Sequence, residues 1–283
     1  MSKNKRWDYI LEVNASRVKL IEGNATPLKQ GLRVLKLETI LKRHRRFGEH
    51  VGYVSFFRAE RRTFPTGLLS KAIKFIKAFK SDATIKIINK VKKPKLSKVD
   101  KDILEGVELY EYQLEAVNKA LTHQRGVILS ATGSGKTIII SAILAELNFN
   151  DLSVMIIVPT INLVRQTYDE IKRLTGIKAA RYGGGWKEIG KITIITNQSL
   201  HSYLRNFNYR TDIPTGAAEI KLPKDDKLAD FINNVDAVLI DEVHLSTAPA
   251  WYNATMMAKN AWFRIGFTGT VDDRDSERMF KLY

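Results

Sequence analysis

VILSATGSGKTIIISAIL, residues Val127 to Leu144, is the stretch on which the reading of the chain turns. Three apolar residues, Val127–Leu129, run into a Gly-rich loop, Ser130–Thr137, and then into a helix-like run, TIIISAILAEL. Strand, loop and helix in that order are the setting a phosphate-binding loop needs. Gly133 and Gly135 allow backbone N–H groups to turn inward around phosphate oxygens, and the helix N-terminus adds partial positive charge. Ala131, Thr132 and Ser134 fill out the cradle. Lys136 can reach the β- and γ-phosphates, and the Thr137 hydroxyl can ligate Mg²⁺. In one respect the loop departs from the general pattern, which opens on glycine where Ser130 stands.

About a hundred residues downstream, VLIDEVHL carries four apolar residues into Asp241-Glu242-Val243-His244. An Asp-Glu pair in that position, taken alone, reads as a solvated strand end. With a phosphate loop upstream, Asp241 is placed to hold Mg²⁺, partly through water, and Glu242 to orient and deprotonate an attacking water. His244 is not read as a metal ligand, because His44, His50, His123 and His201 form no ligand spacing with it.

Outward from these two motifs, the chain from about 106 on alternates apolar β-branched runs (VILSA, SVMIIVP, ITIIT, AVLIDE) with helical stretches. That pattern predicts an α/β fold with a mostly parallel sheet covered by helices on both faces. Residues 205–234 are polar and poor in pattern and read as an insertion. The first 90 residues read as a small basic α+β domain. In it, Trp7–Val13 is a strand, Leu32–Leu41 a helix, and GYVSFFRAERRTF two short strands around a turn at Arg58–Arg62. LLSKAIKFIKAF follows as a helix burying Leu68, Leu69, Ala72, Ile73, Ile76 and Phe79. The Pro- and Lys-rich stretch 91–105 reads as a linker to 106–283.

Charge follows the same division. The net charge of +16 lies wholly in residues 1–105, which hold 26 Lys and Arg against 10 Asp and Glu. A polyanion partner is one reading, since each cation that neutralises a phosphate releases counterions; a basic solvated surface is the other. No apolar run approaches a membrane span, and the absence of cysteine excludes disulfides and thiolate metal sites. These features fit a cytoplasmic protein.

The phosphate loop, DEVH and Thr268-Gly269-Thr270, in this order, resemble motifs I, II and III of superfamily 2 helicases. LYEYQLEAV resembles the segment ahead of motif I, VPTINLVRQ motif Ia and ITNQSL motif Ib. The resemblance implies a RecA-like P-loop NTPase lobe that uses ATP and Mg²⁺. Gln113 would read the adenine edge and Tyr110 stack on the base. Thr160, Arg165, Gly184 and Gln198, with the Gly183–Gly185 turn, would cradle a nucleic-acid backbone. Thr268 and Thr270 would couple nucleotide state to that grip through His244.

Residues 47–79, FGEHVGYVSFFRAERRTFPTGLLSKAIKFIKAF, are similar to the leading domain of phage UvsW-type helicases. That similarity implies an ATP-dependent DNA helicase or translocase that remodels branched or forked DNA in recombination, replication and repair, in a host cytoplasm if phage-encoded. Arg58, Arg61 and Arg62, and Arg43, Arg45 and Arg46 of the 42–46 run, are the candidates to grip DNA phosphates. A merely solvated turn is the competing reading for the hairpin arginines, while Phe56, Phe57 and Phe64 read as core. Motors of this superfamily carry a second RecA-like lobe, and the 13 residues after Thr270 are too few for one, so a chain ending ahead of that lobe is expected. The alternatives kept open are a nucleotide-sensing DNA-binding module, a restriction-enzyme translocase subunit and an RNA helicase.

Overall fold

A computed structural model describes residues 7–36, 52–131, 133–206, 226–243 and 255–269. Among them, one compact unit runs up to Lys90 and a second starts at Val91.

In the first unit, β1 (Tyr9–Val13) buries alternate residues Tyr9, Leu11 and Val13, as a half-buried strand should. It pairs with β2 (Arg17–Glu22) antiparallel. Helix α1 (Thr26–Gly31) follows, then β3 (Arg33–Lys36) and β4 (Gly52–Ser55), which pair antiparallel as a separate two-stranded sheet. After β5 (Thr63–Pro65) come α2 (Leu69–Phe79) and β6 (Ile85–Asn89), completing a sheet in the order β5-β2-β1-β6.

Two expectations are corrected here. Residues 33–36 are a strand and not the start of a helix, because pairing with Gly52–Ser55 overrides local periodicity. As expected, two short strands, β4 and β5, flank the Arg58–Arg62 turn, which an antiparallel Arg58–Thr63 bridge closes, while β4 pairs with β3 and β5 with β2. Phe79 is exposed at the end of α2, whose buried side is carried by Ala72 and Ile76. Phe56, Phe57 and Phe64 are buried core residues.

The second unit opens with a strap. Residues 93–104 pack on the unit that follows, with Val99 and Leu104 in its core. Asn118 clamps the strap by accepting from Val99 N–H at 2.8 Å and donating to Val99 C=O at 3.1 Å. Buried Glu146 accepts from Ser97 N–H, and Gln124 donates to Pro94 C=O. The stretch read as a linker is thus held by side chains that lie 19 to 49 residues further along. Asn118→Ala removes both partners of Val99 and is expected to destabilise this unit by about 2 kcal/mol. Urea unfolding measures the loss, and hydrogen exchange at the Val99 amide localises it.

The elements then run α3 (Glu111–His123), β7 (Arg125–Leu129), α4 (Lys136–Phe149), β8 (Val154–Val158), α5 (Ile161–Thr175), β9 (Ala180–Gly183), β10 (Trp186–Lys187) and β11 (Ile192–Thr196). They continue with α6 (Asn197–Arg205), α7 (Lys227–Asn234), β12 (Ala237–Ile240) and β13 (Phe263–Thr268). Helix α7 falls inside the stretch read as an insertion; Asp226 caps it by accepting from Leu228 and Ala229 N–H.

The seven strands lie in the order β10-β9-β11-β8-β12-β13-β7, all parallel except β10. Both faces are buried. Val154, Ile156 and Val158 share one core with α3, α4 and α5, while Met155 and Ile157 face a second core with α6 and α7. Period-two side chains buried on both faces are why these strands read as continuous apolar runs.

Candidate functional site

Five strands, β7, β8, β11, β12 and β13, are mutually parallel, so the loops that leave their carboxyl ends gather along one edge of the sheet. The phosphate loop follows β7, Thr268 ends β13, the acidic pair follows β12, Thr160 follows β8 and Gln198 follows β11. Strand order therefore puts the phosphate and acidic motifs at one end of the edge. The Thr160 and Gln198 segments lie toward the other end.

In the phosphate loop, Gly133 and Gly135 have φ of +83° and +78°, a region that costs L side chains dearly. Gly135 is the N-cap of α4 and supplies no side-chain cap, and the first turn holds no acidic residue. Ile138 and Ile139 N–H donate to Gly135 C=O, so the N–H groups ahead of them in the first turn are the ones placed to meet an anion. Ser130 has a definite task despite its departure from the general pattern. Its N–H donates to Thr268 C=O at 2.8 Å, and its hydroxyl pairs with that of Ser134. Ser134 in turn donates to Ala131 C=O, closing the base of the loop.

Lys136 Nζ donates to Glu242 Oε1 at 2.5 Å, an ion pair whose side chains are 16% and 27% exposed. Glu242 sits at φ +50°, a left-handed conformation for a residue with a side chain. Such a conformation costs on the order of 1 kcal/mol and is typical of sites where function dictates geometry. Asp241 N–H donates to Ile157 C=O, and Asp241 Oδ1 accepts from Glu242 N–H at 3.0 Å. The acidic pair is thereby fixed to the end of the sheet, facing the loop. Thr137 lies in the first turn of α4, next to Lys136.

Ahead of α3, Gln113 is buried at 1% exposure. Its Oε1 accepts from Tyr110 N–H at 3.0 Å, and its Nε2 donates to Ser134 C=O at 3.2 Å and to the Tyr112 hydroxyl at 3.3 Å. Tyr112 donates its own proton to Ser134 C=O. The Tyr110 and Tyr112 rings stack at 5.9 Å and are 67% and 50% exposed. Tyr112 is thus a member of the site beyond those expected from the motifs, and its sequence signal is an aromatic two residues from Tyr110 and adjacent to Gln113.

At the other end of the edge, Thr160 caps α5 by accepting from Leu163 N–H, and Thr196 caps α6 by accepting from Ser199 N–H. The Gly183–Gly185 turn lies between them with φ of +125°, +61° and +97°. A Cβ on Gly184 would meet Ile161 at 2.6 Å, and one on Gly183 would meet Ser199 Oγ at 2.7 Å. The turn thus touches both helix starts. Gln198 is exposed there, and so is Arg165, one turn into α5. The Arg165 guanidinium lies 5.8 Å from the Trp186 ring. Arg181 lies 4.7 Å from the same ring and 4.5 Å from Tyr168, and pairs with Glu188. This cation–aromatic cluster was not legible beforehand, since its members come from α5, β9 and β10.

The hairpin arginines belong to the first unit. Arg62, at φ +55°, donates from Nε to Leu20 C=O at 3.1 Å and from Nη2 to Gly23 C=O at 2.7 Å, so its guanidinium braces the end of β2. That task competes with gripping phosphate. Arg58 is half-buried and Arg61 exposed. Arg43, Arg45, Arg46, Thr132, His244 and Thr270 lie outside the described residues. Among the described residues, no three His, Cys, Asp or Glu side chains cluster as a metal cage, and no helix is long and apolar enough to cross a membrane.

Residues 106–273 match the family described as type III restriction enzyme, res subunit (ResIII). The DNA 3'-5' translocase XPB2 of Sulfurisphaera tokodaii is 34% identical over 175 residues, covering 62% of this chain and 34% of the relative. The ATP-dependent DNA helicase uvsW of Enterobacteria phage T4 is 26% identical over 232 residues, covering 75% of this chain and 41% of the relative. The chain thus spans well under two thirds of the length of these relatives. A crystal structure of the UvsW helicase from bacteriophage T4 superposes with a TM-score of 0.70 over 98% of both chains at 17% identity. A second T4 UvsW structure gives 0.72 over 97% of this chain and 55% of that one. Both likenesses are of fold.

Proposed function

The chain belongs to the ResIII family of superfamily 2 helicases, ATP-hydrolysing enzymes, and from that premise we propose that its second unit is the ATP-binding lobe of a DNA helicase or translocase acting on branched DNA. The observation that carries the reading is Lys136 paired to Glu242 at 2.5 Å on the same sheet edge as the Thr160, Gly184 and Gln198 cluster. One edge would then serve both nucleotide and nucleic acid.

Loop N–H groups, Lys136 and the start of α4 would hold the triphosphate. Glu242, released from Lys136 as the phosphates take the lysine, would orient a water and accept its proton. Thr137 and Asp241 suit Mg²⁺, which is ordinarily held by one or two protein oxygens together with substrate phosphates and not by a full protein cage. Bound there, the ion would neutralise charge on the β- and γ-phosphates. Thr268, whose carbonyl holds Ser130 N–H, gives the loop a direct link to β13 and would pass its state along the edge. The full protein is proposed to work with a second RecA-like lobe closing on this edge.

For the nucleic acid, the helix starts at Thr160 and Thr196 and the glycine turn would receive phosphates, with Arg165 adding charge; in the first unit, Arg58 and Arg61 are separate candidates for phosphate contact. Contacts of that kind position without reading sequence, which suits a substrate defined by branching. Relationship to uvsW and XPB2, whose names specify DNA, favours DNA over RNA.

The test is ATP hydrolysis by the full-length protein with forked DNA, linear duplex DNA or duplex RNA. Forked DNA should stimulate most and RNA least. DNA affinity should fall linearly in log–log form as salt rises, by roughly 10³-fold between 50 and 200 mM if about six phosphates are contacted. Stimulation by RNA equal to that by DNA would remove the assignment.

A further inference from the structure

The β9–β10 hairpin lies along α5 through a run of matched contacts. Gly184 and Gly185, both at positive φ, make the two-residue loop that a tight hairpin favours. Its register sets Trp186 opposite Gly183 and Lys187 opposite Tyr182. The Gly184 backbone lies against Ile161, the Trp186 ring is 5.8 Å from the Arg165 guanidinium, and the Arg181 guanidinium is 4.5 Å from the Tyr168 ring. Ile161, Arg165 and Tyr168 follow one another at spacings of four and three residues, so they share one face of the helix.

The two arginines of this run are not equivalent. Arg181 is committed to the chain: its Nε donates to Glu188 Oε2 and its Nη2 to Glu188 Oε1, both at 3.3 Å. Arg165 is exposed, and among the described residues the one polar or ring contact of its guanidinium is the Trp186 ring. A cation over a ring is attracted by the ring quadrupole and gives up none of its N–H donors. All five donors of Arg165 therefore stay open, while the group that carries them is held. An exposed arginine without such a support loses rotamer freedom when it binds, and holding it beforehand removes that cost.

We propose that Trp186 is a positioning residue of the nucleic-acid edge: it holds the Arg165 guanidinium beside the glycine turn with its donors open, so that the arginine meets a backbone phosphate already ordered. The inference rests on the reading of the Thr160, Gly184 and Gln198 edge as the nucleic-acid seat and deepens it. Trp186 acts through Arg165 and not by stacking on a base. Its half-buried ring packs on the core of the unit, which fixes the ring in turn. Arg181, paired to Glu188, is the brace of the cluster, and Arg165 is its grip.

Binding of a fluorescently labelled forked DNA to the full-length protein over a series of salt concentrations tests this. Arg165→Ala should weaken binding about tenfold and lower the slope of log affinity against log salt by about one, the loss of a single phosphate contact. Trp186→Ala should give the same two changes. The double variant should lie within about twofold of either single one, because both substitutions remove the same contact. Trp186→Phe keeps a π face and should bind nearly as the parent does. Trp186→Leu keeps apolar bulk without that face and should resemble Trp186→Ala. This last pair decides the matter even where Trp186→Ala does not fold. Equal binding by the Phe and Leu variants would reduce Trp186 to packing and overturn the proposal. Losses that multiply in the double variant, or a salt slope left unchanged in either single one, would overturn it as well. No measurable DNA binding by the parent protein would remove the nucleic-acid reading of this edge, and the proposal with it.

Discussion

A Lys136→Ala protein should lose ATP turnover by about 10³-fold, the size of effect seen when one preorganised electrostatic contact to a reacting group is removed. Two losses combine. The γ-phosphate forfeits its cation, and Glu242 is left half-buried without the partner that holds it at 2.5 Å. Glu242→Gln separates the two. The amide keeps the shape and can still accept from Lys136, but it cannot take a proton from water, so turnover should fall by about 10²–10³-fold. ATP affinity should be kept or should rise, because Lys136 no longer has to leave a carboxylate. Equilibrium ATP binding and single-turnover hydrolysis, measured on both variants, check this. A Glu242→Gln protein with normal turnover would show that the site senses nucleotide without hydrolysing it.

These two residues were legible in the sequence because their chemistry depends on residue type at short spacing. Gly-Lys-Thr after an apolar run, and Asp-Glu after another, admit few other readings, and a parallel sheet brings the ends of such runs together. Residues whose role depends on distant partners were not legible. Gln113 was read by its type, but its direction is set by Ser134, more than twenty residues away. Arg62 looked like a free cation at a turn tip until Leu20 and Gly23 supplied carbonyls. Residues 33–36 satisfied a helical period and became a strand because residues 52–55 lay alongside. The strap at 93–104 was polar enough to read as a linker, and Asn118 and Glu146 make it part of the unit. In each case local composition gave one answer and a long-range hydrogen bond imposed another.

Arg264 is the strongest case of that kind, and its loss should be the most damaging to stability. It lies in β13, in a stretch, FRIGFT, whose arginine gave no sign of being internal, yet it is only 2% exposed. Its guanidinium donates from Nε to Ala261 C=O at 2.9 Å, from Nη1 to Thr255 C=O at 2.8 Å and from Nη2 to Ala258 C=O. The planar fork thus ties the segment ahead of β13 to the strand that ends at Thr268. Arg264→Ala leaves these carbonyls without their donor and opens a cavity on the face of β13 opposite to Phe263 and Ile265. A cost of about 3–5 kcal/mol is expected. For a unit of this size that lowers Tm by roughly 10 °C. Arg264→Lys restores a charge but not a fork, so it should recover only part of the loss. Because Thr268 C=O holds Ser130 N–H, loosening β13 should also weaken nucleotide binding in protein that remains folded. Thermal unfolding with and without saturating ATP–Mg²⁺ tests both effects at once. The ligand-induced rise in Tm should be smaller in Arg264→Lys than in the parent protein, and an equal rise would mean that the staple supports the fold alone.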